Sequence, residues 1–165
     1  MTDRNARGSY DRDHVGVIRK IRFAVVMLLL LAAVFVLVLG VTLAHDADME
    51  PSCREGQPVL FLRLGGVKRG DVAVLRIDVR GTVLRRVIAV PGDTVELRDG
   101  TVFVNGLAER GNYSITRTDP VAGGPSYPLL LREGEYFVLG DRRETALDSR
   151  SFGLVTMENI LGRVL

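Results

Sequence analysis

Residues 83–106 read VLRRVIAVPGDTVELRDGTVFVNG, and this stretch decides the fold. Val83 to Val90 is an apolar, β-branched run that stops at Pro91-Gly92-Asp93. Thr94-Val95-Glu96-Leu97 and Thr101-Val102-Phe103-Val104 each alternate with period two, on either side of Arg98-Asp99-Gly100. An Asp-Gly between two alternating runs is a strong hairpin signal, and Asn105-Gly106 supplies the next turn. Upstream, Pro58–Leu62 and Asp71–Ile77 read as two more strands, the second entered through Lys68-Arg69-Gly70. Downstream, Glu135–Leu139 is another. Residues 107–128 carry Gly, Pro, Asn and Thr and read as a long loop, and only Met157-Glu158-Asn159-Ile160 suggests a helical turn. Short strands at turn-rich spacing predict an all-β barrel or sandwich. About 120 residues suffice for one modest core.

N-terminal to this region lies Phe23–Ala44, FAVVMLLLLAAVFVLVLGVTLA, without a charge. At about 1.5 Å per residue a helix of that length reaches roughly 30 Å, enough to cross a bilayer core. A cleaved secretory signal, with Thr42-Leu43-Ala44 as its cleavage site, would have a shorter apolar region of about 7–15 residues. Arg4, Arg7, Arg12, Arg19, Lys20 and Arg22 precede the span, whereas His45, Asp46, Asp48 and Glu50 follow it. Positive flanks stay in the cytoplasm. The expected organisation is a basic cytoplasmic tail over 1–22, a signal-anchor helix over 23–44, and an extracytoplasmic β domain over 45–165. The first 18 residues are polar and expected to be disordered. Residues 47–51 are expected close to the membrane surface.

Composition narrows the chemistry. A net charge of +2 and the lack of a basic stripe argue against nucleic-acid binding. One cysteine, Cys53, excludes an internal disulfide and a multi-cysteine metal site. His14 and His45 flank the apolar block and cannot share a metal. Of 22 basic residues only Lys20 and Lys68 are lysine, which limits the side chains that could act as an amine base.

Four blocks, in order and correctly spaced, carry a family likeness: Asp48-Met49-Glu50-Pro51; Arg69-Gly70-Asp71-Val72; Arg85-Arg86-Val87-Ile88-Ala89-Val90-Pro91-Gly92-Asp93; and Gly140-Asp141-Arg142-Arg143 followed by Asp148-Ser149-Arg150-Ser151-Phe152-Gly153. From Asp46 to Val164 the chain resembles the type I signal peptidases, membrane-anchored serine/lysine endopeptidases that cut signal peptides from exported proteins. Self-cleaving repressors share the fold and dyad but lack a membrane span. The resemblance implies an all-β, barrel-like fold of coiled β-sheets preceded by one N-terminal transmembrane helix. It also implies a bacterial cytoplasmic membrane location, and substrate bound as an extended strand beside a sheet edge. No cofactor or metal is expected.

The same likeness shows what is replaced. The family's nucleophilic serine position is Asp48, and its lysine base position is Arg85. The serine that orients the lysine is Ala146 here, and a family asparagine is Arg142. Met49, Pro51, Arg86, Gly140, Asp141, Asp148 and Arg150 match the framework, with Asp148 and Arg150 expected to be a structural pair. A lysine base works because burial neutralises it, whereas a guanidinium stays protonated. The opposed charges predict a salt bridge between Asp48 and Arg85. A substitute dyad from Ser52 or Cys53 with Lys68, or an Asp48/Asp148 carboxylate pair, is less favoured. Arg85 would keep both carboxylates ionised.

Two functions remain open at this point. One is a catalytically inactive accessory that binds extended segments of exported proteins or pilins and assists their surface assembly, as signal-peptidase-like proteins of Gram-positive pilus clusters do. Its partners would include membrane lipid and membrane-bound assembly enzymes such as sortase. The other is an active signal peptidase of unusual chemistry. A decayed paralogue without a role fits less well, because turn glycines and strand alternation are intact.

Overall fold

The Asp99-Gly100 and Asn105-Gly106 turns both form with the backbone they require. Asp99 and Gly100 have φ of 53° and 76°, and Asn105 and Gly106 have 54° and 77°. Two successive positive φ values are the type I′ geometry that matches the twist of a hairpin. The structure is a computed structural model and describes residues 4–78, 81–109, 111, 113 and 116–165, with side chains from residue 16 onward. Part of the expected 107–128 loop, and residues 1–3, lie outside the described residues.

The chain divides into two units, a helix ending at Val38 and a β unit over Leu39–Leu165. Helix α1 spans Arg4–Val38, and its stretch Gly16–Val38 is long and apolar enough to cross a membrane. Two expectations need correction here. Residues 4–18, expected to be disordered, continue the helix, because adding residues to a formed helix avoids the nucleation cost. The helix also stops six residues short of Ala44. Leu39–Leu43 is instead strand β1, with Val41 paired to Leu60. Gly40, Val41 and Thr42 are poor helix formers. Gly40 is directly opposite Phe61, where a Cβ would lie 2.2 Å from the ring. Ala44 is buried in the β unit.

The remaining elements are β2 (Pro58–Leu62), β3 (Val72–Ile77), β4 (Gly81–Ala89), β5 (Thr94–Arg98), β6 (Thr101–Val104), β7 (Leu107–Ala108), β8 (Leu129–Leu130), β9 (Glu135–Leu139), α2 (Ser149–Phe152), β10 (Val155–Thr156), a 3₁₀ turn over Met157–Asn159, and β11 (Ile160–Val164). They build a seven-stranded sheet in the order β1-β2-β11-β3-β4-β9-β10 and a four-stranded sheet in the order β7-β6-β5-β8. The fold is thus mostly β, as expected. The strands form two open sheets and no closed barrel among the described residues.

Strand β4 is an interior strand, between β3 and β9, and contributes to three apolar clusters. Ile88 joins Val95, Val102, Val104, Phe137 and Leu139 in one apolar cluster, and Leu84 joins Met49, Cys53, Val59, Phe61 and Val74 in a second. Val83 and Val87 pack with Leu75, Tyr136, Val138 and Val155 in a third. Because both faces of β4 are covered, the two arginines in its middle are covered too. Arg85 is 0% exposed and Arg86 9%. Burying a charge is costly unless it is paired, so these two positions dictate what surrounds them.

Candidate active site

Residues 44–53 turn across β4 after β1. The turn is fastened at Ala44, whose N–H donates to the Gln57 carbonyl at 2.9 Å, and at Met49, whose carbonyl accepts from the Cys53 N–H at 2.9 Å. Met49 is 1% exposed and anchors the turn in the core. Pro51 sits outside. The turn aims Asp46 and Asp48 at the end of the Arg85 side chain.

Arg85 uses every N–H it has. Its Nε donates to the Leu147 carbonyl at 2.9 Å. Nη1 donates to Asp46 Oδ1 at 3.2 Å and to the Leu84 carbonyl at 2.5 Å. Nη2 donates to Asp46 Oδ2 at 3.1 Å and to Asp48 Oδ2. A guanidinium carries five N–H groups, and all five are bonded. Asp48 Oδ2 also accepts from the Leu147 N–H at 3.1 Å, while the Asp48 carbonyl accepts from the Arg142 N–H at 2.9 Å. The ion pair predicted between Asp48 and Arg85 is present, and Asp46 joins it. Asp46 takes two bonds from Arg85 where Asp48 takes one. In the sequence Asp46 stands out only as a charged flank of the apolar segment.

Arg86 points to the other face of β4. Its Nε and Nη2 reach Asp141 Oδ1 and Oδ2 at 2.8 and 2.6 Å, a forked pair, and its Nη1 reaches the Gly70 carbonyl at 2.8 Å. The guanidinium lies 4.0 Å from the centroid of the Tyr113 ring. Burial pushes the Tyr113 phenol up to about 12, helped by its neighbour Glu109. Ser52 Oγ donates to Asp141 and accepts from Arg86 Nη2 at 3.1 Å. Cys53 is buried, and burial followed by the charge of Asp141 raises its thiol above the ordinary range. Lys68 is exposed in its turn. Neither Ser52 nor Cys53 shares a hydrogen bond with it among the described residues.

The segment 140–150 closes the site from below. Arg150 donates from Nε and Nη2 to Asp148 Oδ1 and Oδ2 at 2.9 and 2.8 Å, and Asp148 Oδ2 also accepts from the Gly140 N–H at 3.1 Å. Asp148 caps α2 and belongs to this internal pair; it makes no bond to Asp48. Ala146 is buried against Gly140, where an added Cβ would fall 2.4 Å from the Ala146 methyl. The exposed Arg142 side chain makes a rim contact with Glu50 at 3.4 Å.

The assembled chemistry is that of a closed ion cluster. Two carboxylates face one guanidinium, and neither a hydroxyl nor an amine stands at positions 48 and 85. Asp46 was not legible because two acids at i and i+2 converge on one cation only when the chain between β1 and β2 turns as it does here. Its sole signal was its closeness to Asp48.

Comparison with known proteins agrees with the likeness of the four blocks. A family model described as signal peptidase, peptidase S26, matches residues 17–165. Signal peptidase IB of Staphylococcus aureus is 34% identical over 136 residues, covering 71% of this chain and 71% of its own. Signal peptidase I of Bacillus licheniformis is 31% identical over 157 residues, covering 88% of this chain and 83% of its own. A crystal structure of a signal peptidase I from Enterococcus faecalis superposes with a TM-score of 0.51 at 33% identity, covering 62% of this chain and 98% of that one. By sequence, by motif and by fold, this chain belongs to the peptidase S26 signal peptidase family.

Proposed function

We propose that the protein is a catalytically silent signal-peptidase-like membrane protein that binds extended segments of exported proteins and assists their assembly at the cell surface, as a pilus-type accessory would. The observation that carries this reading is the complete bonding of Arg85. Attack on a peptide bond needs a nucleophile and a group able to take its proton. A guanidinium does not give up its charge at usable pH, and every N–H of this one is already engaged. Any negative charge developing on a substrate carbonyl would also meet Asp46 and Asp48 instead of donors. Preorganised donors are worth about 10²–10³ in rate where they exist.

Binding asks for less. β1 is the end strand of the seven-stranded sheet and leads straight into Asp46. A polypeptide added to such an edge needs only backbone pairing and room for alternate side chains. The basic N-terminal flank favours a cytoplasmic tail with the β unit outside the membrane. Partners in this reading are exported proteins or pilins, with membrane-bound assembly enzymes such as sortase and membrane lipid as further contacts.

The competing reading, an active signal peptidase of unusual chemistry, draws on the names of the relatives. Cleavage of a pre-protein by the purified full chain in detergent separates the two. The expected result is no turnover above a protein-free control, with retained binding of the uncut substrate. Turnover that vanishes in Asp48→Ala would overturn the proposal.

A further inference from the structure

Asp46 stands apart from the residues that the family likeness singled out. It binds both terminal nitrogens of Arg85, at 3.2 and 3.1 Å, and its Oδ1 also accepts from the Asp48 N–H at 3.2 Å. Its side chain is 22% exposed, whereas that of Arg85 is fully buried. Among the other charged groups on the segments packed around Arg85, Glu50 pairs with Arg142, Asp141 with Arg86, Arg143 with Glu109 and Asp148 with Arg150, while His45 and Glu144 are exposed. Asp46 and Asp48 are the two anions whose oxygens bond the Arg85 guanidinium.

Resting on the reading that the native pair is non-catalytic, we propose that Asp46 is a positioning residue that grips the charged end of the side chain at position 85 and would favour the charged form of an amine placed there, so that a serine and a lysine introduced at 48 and 85 do not by themselves supply a base. The physics is a competition. Full burial disfavours an ammonium and pushes its pKa down, whereas a carboxylate within about 4–6 Å favours it and pushes the pKa up by about 1–3 units. Asp48→Ser removes one of the two anions. Asp46 remains, in a place from which it grips both ends of the guanidinium, and an amine at this depth would sit beside it. Each unit that Asp46 adds lowers the neutral, proton-accepting fraction of that amine tenfold at a fixed pH below the pKa. Removing the anion tips the balance towards desolvation and frees the amine to take a hydroxyl proton.

The experiment compares two variants of the full chain in detergent micelles, Asp48→Ser/Arg85→Lys and the same pair combined with Asp46→Asn. Asparagine keeps the shape of the side chain and loses the charge. The natural chain has only two lysines, so ¹³C-labelled lysine gives three signals, and the new one can be titrated directly by NMR. The expected result is an ammonium pKa at least one unit lower in the triple variant. The alkaline-going limb of pre-protein cleavage should move to lower pH by the same amount. Equal pKa values in the two variants would overturn the lock. That result leaves the silence of the native chain untouched, which is tested separately by turnover of the unaltered protein. If the triple variant does not fold, judged by its circular dichroism, Asp46→Ser in the same background gives the same comparison. A pKa unchanged there again overturns the proposal.

Discussion

Arg143 and Glu109, 34 residues apart, are joined by two parallel bonds of 2.9 Å. Arg143 is 3% exposed, and it also donates to Thr118 Oγ1 at 2.7 Å and to the Gly140 carbonyl at 3.0 Å. One side chain thereby ties the segment after β7 to the segment that carries Asp148. Removing it leaves Glu109 without its cation. Arg143→Ala is expected to cost roughly 3–5 kcal/mol, the range for breaking one side of a buried pair. Arg143→Lys should recover only part, because an ammonium cannot reproduce the fork. Urea unfolding of the full chain in detergent checks the first number. Hydrogen exchange should show faster labelling around Glu109 and Thr118 in both variants.

The cluster at position 85 predicts an asymmetry between its partners. Arg85→Ala leaves two carboxylates facing each other with no cation between them, and about 3–5 kcal/mol of stability should be lost. Asp48→Asn leaves Arg85 still forked by Asp46 and should cost less, about 1–3 kcal/mol. Thermal melts of both variants, followed by circular dichroism at one pH and salt concentration, test the order. Equal losses would mean that Asp46 contributes nothing to holding Arg85.

These relationships mark where sequence reading ended. The hairpins were legible because Asp99-Gly100 and Asn105-Gly106 carry their own geometry in two residues. β1 was not, since an apolar run looks the same whether its end is helical or paired, and the weak helix formers Gly40, Val41 and Thr42 were the local hints. β11 was missed because Ile160–Val164 becomes a strand by fitting between β2 and β3, a contact far along the chain. At the site, Asp48 and Arg85 were legible from motif likeness, and their opposite charges predicted the pair. Asp46, Ser52, Glu109 and Arg143 were invisible as partners, since folding alone brings each to its counterpart.

Asp93, in the turn after β4, ties stability to pH. Burial works to raise its pKa, but bonds from the Val90 N–H, Arg69 and Asn105 outweigh that and hold the carboxyl below its usual range. The distances are 2.9, 2.5 and 2.8 Å. A depressed folded-state pKa contributes stability that is complete above the unfolded value of about 3.9 and fades as pH falls through the folded value. Asp93→Asn should therefore be less stable than the natural chain at pH 7. The gap should close as pH is lowered through 4 towards 2. Melting temperatures of both chains across that interval give the answer, and a gap that stays constant would remove Asp93 as its source.

Gly124 marks where the segment before β8 presses on the site's framework. A Cβ there would lie 1.9 Å from the Arg150 carbonyl oxygen and 3.1 Å from its carbon, both backbone atoms that cannot swing aside. Arg150 is itself fixed by Asp148 and by a 2.6 Å bond to the Arg143 carbonyl. The segment must therefore lift if position 124 gains a methyl group. Gly124→Ala is expected to cost about 1–3 kcal/mol, as overpacking of a tight contact does. Ser126→Ala, at an exposed neighbouring position, should stay within about 0.5 kcal/mol of the natural chain. Limited proteolysis across 119–128 supplies the structural check. Cutting should speed up in Gly124→Ala and not in Ser126→Ala, and equal cutting rates would mean that the close approach to Arg150 is not what holds this segment down.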